Sequence, residues 1–560
     1  MGAEGPRSRD VLAQAVGGQR RDVATGAVLA AGHQLGEALV PVLIGVLVDQ
    51  AVARSDTGAL VRWLAVLAAV YVGLSLSFRF GARAGERAAE QAAHQLRVEV
   101  VRRVLDPRGG AEAGRLPGAL VNIATEDAKR VGAVNMALTT GISSAVGLVV
   151  SAVALLLISV PLGLTVLLGT PVLLFAGHLL SKPLERRSEA EQEQAAHASG
   201  IAADLVSGLR VLKGIGAQGA AVDRYRRTSR ASLAATLRAA RAEAWQGGVV
   251  LALTGGFIAL VALVGGRLAA GGDITLGQLV SALGLAMFLL GPFEVFAWVN
   301  AEFAQARASA SRIAAVLAAP RDVVAGDGRL PDAVPGTVRL RSVSLGTLRE
   351  VDLTMAPGEL LGVVSTEPAS CEALLRALGR TEDPVSGTVE LDGVPLSDLD
   401  PAHLRSAVLV ASHDADLFEG TLGDNIGGGE SAEGAMAAAA ADEVARALPL
   451  GADTPVGDGG RSLSGGQRQR VALARALNAD RPVLVVHDPT TAVDSVTEAR
   501  IARGVRDFRR GRTTVLVTNS PALLAVTDRV VFLDSGRVSA EGTHTALLRG
   551  DAAYRAAVLA

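Results

Sequence analysis

The sequence predicts an α-helical domain of six membrane spans with long helical extensions, followed by an α/β domain. Three observations carry this. Apolar stretches long enough to cross a bilayer occur only before about residue 300. Two segments of roughly sixty residues between them keep an Ala-, Glu-, Gln- and Arg-rich helical pattern, far beyond ordinary loop length. From residue 337 onward, short β-branched runs alternate with Ala/Leu/Arg helical runs, the pattern of a mixed sheet with helices packed on it.

Composition agrees with a membrane part joined to a water-facing part. Of 560 residues, 49% are hydrophobic and 20% are charged, below the ~25% usual in soluble domains. The 54 Lys and Arg against 56 Asp and Glu leave a net charge of −2, which gives no reason to expect a nucleic-acid partner. One cysteine excludes an intramolecular disulfide framework and a multi-cysteine metal site, and no metal centre is expected.

The spans are expected at residues 23–52, 60–77, 136–160, 162–180, 247–266 and 276–299, the fourth starting directly after Pro161 behind a very tight turn. Arginines and lysines mark one side. Arg7, Arg9, Arg20 and Arg21 precede the first span, Arg79 to Arg103 follow the second, and Lys182 to Arg241 follow the fourth, whereas the other connections are short and nearly uncharged. By the positive-inside tendency the N-terminus is cytoplasmic and the chain is a multi-pass protein of the cell membrane. The transmembrane domain is therefore expected at residues 1–315. An Asp/Gly/Pro-rich linker follows at 316–336 and the cytoplasmic α/β domain at 337–560.

Within that second domain, Leu463-Ser464-Gly465-Gly466-Gln467-Arg468-Gln469-Arg470 opens a helical run, and glycines with a serine hydroxyl at a helix start form an anion-binding surface. This string resembles the signature of ABC transporter ATPases. Flanking text resembles exporter-type ABC half-transporters in the same order: Asp392-Gly393, Leu417-Phe418-Glu419-Gly420-Thr421, Val456-Gly457-Asp458, Ala492-Val493-Asp494 and Leu533-Asp534-Ser535-Gly536. The membrane half adds Thr275-Leu276-Gly277-Gln278, Gly291-Pro292 and Ala308 to Ile313. The resemblance implies an ABC-type, P-loop-like ATPase domain using ATP and Mg²⁺.

Measured against that family, the nucleotide site of this chain is altered at each essential position. A phosphate loop needs glycines for close backbone approach, a Lys for the β/γ-phosphates and a Ser/Thr for Mg²⁺. After the strand at 360–364 the chain instead reads Ser365-Thr366-Glu367-Pro368-Ala369-Ser370-Cys371-Glu372-Ala373. Ser365 and Ser370 replace glycines, Pro368 deletes a backbone donor, Cys371 stands for the lysine and Glu372 for the hydroxyl, ahead of Ala373. The chain's three lysines, Lys129, Lys182 and Lys213, all lie in the membrane half. His487 and Asp488 end the strand where the resemblance implies a Mg²⁺-associated Asp and a catalytic Glu. Asn519 stands at the γ-phosphate-sensing His position, His413 at a glutamine position, and Thr347 at the adenine-stacking aromatic.

In this family two domains sandwich two nucleotides, each bound by one chain's phosphate loop and the other's signature. The expected role of Ser464, Gly465, Gly466, Gln467 and Asp494 is then to serve ATP and Mg²⁺ held by a second ABC half-transporter with an intact phosphate loop, Walker B carboxylates and switch His. The expectation is a heterodimeric ATP-driven transporter subunit, inactive as an ATPase alone. A non-transporting membrane scaffold or regulatory pseudo-ATPase is the alternative. Coupling helices are expected near residues 106–116 and 216–225. His33 and Glu37, four apart in the first span, and Glu294 in the sixth mark a possible path for an unidentified substrate, as intramembrane ionisable groups usually face a cavity or a partner. The same architecture serves export or uptake.

Overall fold

A computed structural model describes residues 6–331, 333–413 and 416–559. The chain folds into two compact units, one of residues 1–101 and 115–318, the other of residues 102–114 and 319–560.

The first unit is all helix. Six helical segments are long and apolar enough to cross a membrane: Arg20–Val52, Thr57–Val104, Pro117–Ile158, Val160–Ser207, Gln218–Ala270 and Leu276–Leu317. The second, fourth and fifth contain 48, 48 and 53 residues. At 1.5 Å per residue these are about 70–80 Å long, more than twice a ~30 Å hydrocarbon core, so the expected extensions are continuous helix. The third and fourth segments meet at Ser159, extended at φ −164°, ψ 127°, with Pro161 in the first turn of the next helix, where its missing N–H costs nothing. The last segment differs from one unbroken span: helices Leu276–Phe288 and Leu290–Leu317 adjoin at Leu289, ahead of Gly291-Pro292.

Small residues let these helices approach closely. Gly45 and Gly277 face each other so tightly that a Cβ on either would overlap the other's backbone carbonyl. Beside them Asp49 accepts hydrogen bonds from the Gly277 amide (2.8 Å) and the Thr275 hydroxyl (2.5 Å). A turn wound wider than an α-helix, Ile123–Asp127, carries a second fastening. Asp127, 1% exposed, accepts from Arg312 Nε (2.7 Å), Arg312 Nη2 (2.5 Å) and Ser309 Oγ (2.9 Å).

The second unit is α/β. Its six-stranded sheet runs, in spatial order, Arg537–Gly542, Arg529–Asp534, Leu360–Ser365, Thr513–Val517, Val483–His487 and Val408–Ala411. All neighbours are parallel except the first pair. The central strands are buried on both faces, which explains their unbroken Val/Leu runs. A four-stranded antiparallel sheet, Leu348–Met355, Val338–Leu345, Ser386–Leu391 and Val394–Pro395, shares a core with one face. The helix Gly465–Asn478 and its neighbours build a second core against Leu484, Val486 and Leu516.

Residues 102–114 belong to this unit through specific bonds. Arg103 donates to the carbonyls of Gly109 (2.9 Å), Ala319 (2.8 Å) and Pro320 (3.3 Å), and Arg405 donates to Pro107 O (2.8 Å). Arg108 hydrogen bonds hold the Asp106 carboxyl well below the usual carboxylate range. The expected coupling helix at 106–116 is not a helix: Pro107 and three positive-φ glycines, Gly109, Gly110 and Gly114, break it into turns before the helix that starts at Pro117. Near the other predicted tip, the short helix is Leu209–Gly214, and a turn with Gly216 at φ +69° leads into the helix starting at Gln218. Here the glycine ends the element where the sequence reading began one.

Candidate functional site

The strand Leu360–Ser365 sits at the centre of the sheet and feeds the helix Pro368–Leu378, the strand-to-helix position where α/β folds bind phosphates. Glu367 is the N-cap residue and Pro368 opens the helix. The Glu367 carboxylate accepts from the Ser370 hydroxyl (3.1 Å), and Ser370 Oγ lies 2.9 Å from the Thr347 hydroxyl. Ser365 accepts from the Glu367 amide (3.1 Å), and Thr366 donates to Asp534 (3.1 Å). Local side chains thus use the polar groups of this turn. Cys371 is 8% exposed; burial pushes its thiol up to about 11, with Asp488 and then Glu372 adding to the rise. At neutral pH it is an uncharged thiol. Glu372 is exposed and Ala373 is buried in the core.

Asp488 follows the strand Val483–His487 in a left-handed conformation, φ 42°, and its carboxylate is 3.6 Å from His487 Nε2. His413 Nδ1 is 3.4 Å from the Asp488 carbonyl, and the two imidazole centroids are 6.0 Å apart. Asn519, after Thr513–Val517, is exposed. No cluster of three His, Cys, Asp or Glu side chains suited to a metal ion occurs among the described residues.

The signature segment is built differently. Ser464 caps the helix Gly465–Asn478: its hydroxyl accepts from the Gln467 amide (3.3 Å), and the Gln467 side chain accepts from the Ser464 amide (2.8 Å). This reciprocal box fixes the turn while leaving the hydroxyl proton of exposed Ser464 free. Gly466 is required by packing, since a Cβ there would stand 2.5 Å from the Ala492 carbonyl. Arg470 steadies the turn through Gly466 O (3.2 Å) and Ala440 O (3.3 Å). Asp494 is exposed and caps Ser495–Phe508 by accepting from the Thr497 amide (2.9 Å); that bond lowers its carboxyl below the usual value.

Gln469 was missed as a positioning residue. Its amide donates to Thr491 Oγ1 (2.6 Å) and accepts from Ala492 N (2.9 Å), tying the signature helix to the loop that ends in Asp494. It lay inside the recognised string, but nothing local in sequence points to a partner 22 residues away.

In the first unit, Glu37 and Glu294 line one cavity of about 540 Å³ together with Gln34, Phe288 and Trp298. His33 stands beside it, with Nδ1 2.9 Å from Leu74 O and Nε2 3.7 Å from Glu37.

Both domains are similar to known proteins. Residues 23–293 match the family described as ABC transporter transmembrane region, and residues 348–491 match the ABC transporter family. A multidrug efflux ATP-binding/permease protein of Mycobacterium tuberculosis is 33% identical over 538 residues, covering 94% of this chain and 45% of that protein. An ATP-dependent lipid A-core flippase of Burkholderia orbicola is 30% identical over 393 residues, 67% of this chain and 65% of the flippase. The chain thus spans less than half the length of the first relative and just under two thirds of the second. A solved bacterial Atm1-family ABC exporter with ATP bound has the same fold, with a TM-score of 0.74 over 96% of this chain and 97% of the exporter at 23% identity. The chain joins an ABC transporter transmembrane region to an ABC transporter domain, in the fold of the solved ABC exporter.

Proposed function

We propose that this chain is the degenerate half of a heterodimeric ABC transporter, lending its signature to ATP held by a competent partner while its own phosphate loop does not complete a site. The observation that carries this is the contrast between two helix starts. At Pro368 the helix opens behind the Glu367 carboxylate, lacks one N–H and buries a neutral thiol where a lysine is needed. At Gly465 it opens on glycines, a capped turn and a hydroxyl with a free proton.

The residues of the first start do not fit Mg²⁺-ATP. Each missing charge-assisted hydrogen bond costs roughly 1.5–3 kcal/mol. A carboxylate near a phosphate charge adds repulsion of up to about 4 kcal/mol at 4 Å and an effective dielectric of 20. Two such lost bonds, about 3–6 kcal/mol together, weaken binding by about 10²- to 10⁴-fold before the repulsion is added. Asp488, one methylene shorter than a glutamate, stands with His487, His413 and Asn519 around this turn, and none of them is a lysine or arginine that could replace the missing cation. ATP and Mg²⁺ are therefore assigned to the partner's loop, completed by Ser464, Gly465 and Gly466, with Gln467 and Gln469 holding the turn. Asp494, already capping its own helix, faces that site with its remaining lone pairs. The bundle carries an unidentified substrate across the cell membrane, with both the N-terminus and the ATPase domain on the cytoplasmic side.

The test is ATPase turnover of the complex with its partner, reconstituted in lipid. Ser464→Arg removes at least nine tenths of turnover, and Cys371→Lys changes it by less than two-fold. The reverse pattern would assign the productive site to this chain's own loop. Wild-type turnover in both variants would favour the scaffold reading.

A further inference from the structure

The cavity between the first and last spans has a chemistry of its own. Its lining combines two carboxylates, Glu37 and Glu294, with the aromatic rings of Phe288 and Trp298 and the apolar side chains of Met287 and Val295. Neither lysine nor arginine lines it. Glu294 enters none of the ion pairs or hydrogen bonds among the described residues. Glu37 has one ionic neighbour, His33 Nε2 at 3.7 Å. His33 Nδ1 sits 2.9 Å from the Leu74 carbonyl, which only accepts, so Nδ1 carries the proton. The Nε2 facing Glu37 is then a lone pair whenever the ring is neutral, so the lining offers two carboxyl groups to a positive charge with no Lys or Arg among its residues to compete.

Carboxylates inside apolar helices are costly and are retained where something positive meets them. A bare metal ion does not suit this site: 540 Å³ is the size of an organic-ligand pocket, and the two carboxylates do not form part of a three-ligand cluster. An anionic lipid headgroup would face both glutamates. An organic cation with an apolar body satisfies every wall at once, its charge toward Glu37 and Glu294 and over the ring faces of Phe288 or Trp298, its body against Met287 and Val295.

We propose that this cavity binds lipophilic organic cations and that such cations are the cargo class of the transporter. This rests on the reading of the bundle as a transport pathway. Tetraphenylphosphonium and tetraphenylborate, nearly the same in size and shape and opposite in charge, are the probes, with binding measured on the full chain in lipid nanodiscs without nucleotide. The cation binds and the anion does not. Glu37→Gln and Glu294→Gln each weaken the cation about ten-fold, the value of one charge-assisted contact, and Glu294→Asp restores most of the loss. Equal binding of both ions overturns the proposal, as does unchanged cation binding in a Glu37→Gln/Glu294→Gln double variant that elutes as the wild type in gel filtration. Ser464→Arg separates the two readings: it leaves cation binding intact, and if it also left the turnover of the partnered complex intact, the ATP-site reading alone would fall.

Discussion

Arg312→Ala should be the most damaging single substitution in the helical unit. Its partner, Asp127, is 1% exposed and takes all three of its described side-chain hydrogen bonds from Arg312 and Ser309. Truncating Arg312 strands a buried carboxylate with one hydroxyl donor, a loss of about 3–5 kcal/mol. The opposite change is milder, because the Arg312 side chain is 50% exposed and its guanidinium rehydrates when Asp127 becomes Asn. That variant should lose about 1–2 kcal/mol, the scale of hydrogen bonds weakened at a half-wet site. With 2–4 °C per kcal/mol as a rough guide for a domain of this size, apparent melting of the detergent-solubilised protein falls about 6–20 °C for Arg312→Ala. For Asp127→Asn the fall is about 2–8 °C. The double variant Asp127→Leu/Arg312→Leu should melt above Arg312→Ala, since it removes the stranded charge. A melting point for Arg312→Ala equal to wild type, or above that of Asp127→Asn, would refute the asymmetry and with it the burial argument.

The close approach at Gly45 makes Gly45→Leu incompatible with the seated helices: the new side chain overlaps the Ser281 hydroxyl and the Gly277 carbonyl, so expression of folded protein should drop while Gly36→Ala, where a Cβ meets the Leu74 side chain at 3.0 Å, is better tolerated. His544 lies against Tyr554, with Nδ1 2.8 Å from the phenol oxygen, and burial lowers its pKa below the ordinary 6.5. The fold therefore disfavours the protonated ring. The associated stability is complete above pH 6.5 and is lost as pH falls through the lower folded value, by at most about 1.4 kcal/mol per pH unit. Melting of the ATPase unit between pH 7.5 and 5 should show this slope, and His544→Gln should flatten it. Cys371, raised from 9.0 to about 11, carries roughly a hundredth of the thiolate of an ordinary thiol. Iodoacetamide at pH 8 should label it at least about a hundred-fold faster after unfolding than before; equal rates would place it in solvent.

What was legible in the sequence is what repeats locally. Six apolar stretches, the break at Pro161 and the buried Val/Leu strands each follow from a period or from a residue with one conformational habit, and the structure places all of them. The signature was legible because its chemistry is contiguous. What escaped depends on distance along the chain. Asp127 and Arg312 read as ordinary charges on helical faces until tertiary packing brings them together across 185 residues. Gln469 has its partners in a loop 22 and 23 residues on. Residues 102–114 looked like the tip of a membrane extension, yet the carbonyls that Arg103 and Arg405 hold tie them to the ATPase unit. Glu37 and Glu294 were legible together as marks of a possible path, but no pattern in either span announces the cavity they share.

The two helix starts of the ATPase unit show how one physical device takes opposite uses. A helix N-terminus offers unsatisfied N–H groups and a partial positive charge to whatever anion is near. At Pro368 the nearby anion is the chain's own Glu367, held in place by Ser370, and proline removes one of the donors. A carboxylate already standing beside this helix start repels a phosphate instead of inviting one. At Gly465 the cap is a neutral serine whose box with Gln467 uses two backbone donors and keeps the hydroxyl proton in reserve, and the Ala492 carbonyl beside Gly466 leaves no room for a side chain on the turn. The first arrangement sets a negative charge where a phosphate would sit; the second is a neutral, glycine-lined turn with a hydroxyl donor to spare. A neutral donor turn beside a carboxylate-blocked one suits an anion that arrives from outside the chain, and that asymmetry favours a partner's nucleotide over an isolated scaffold.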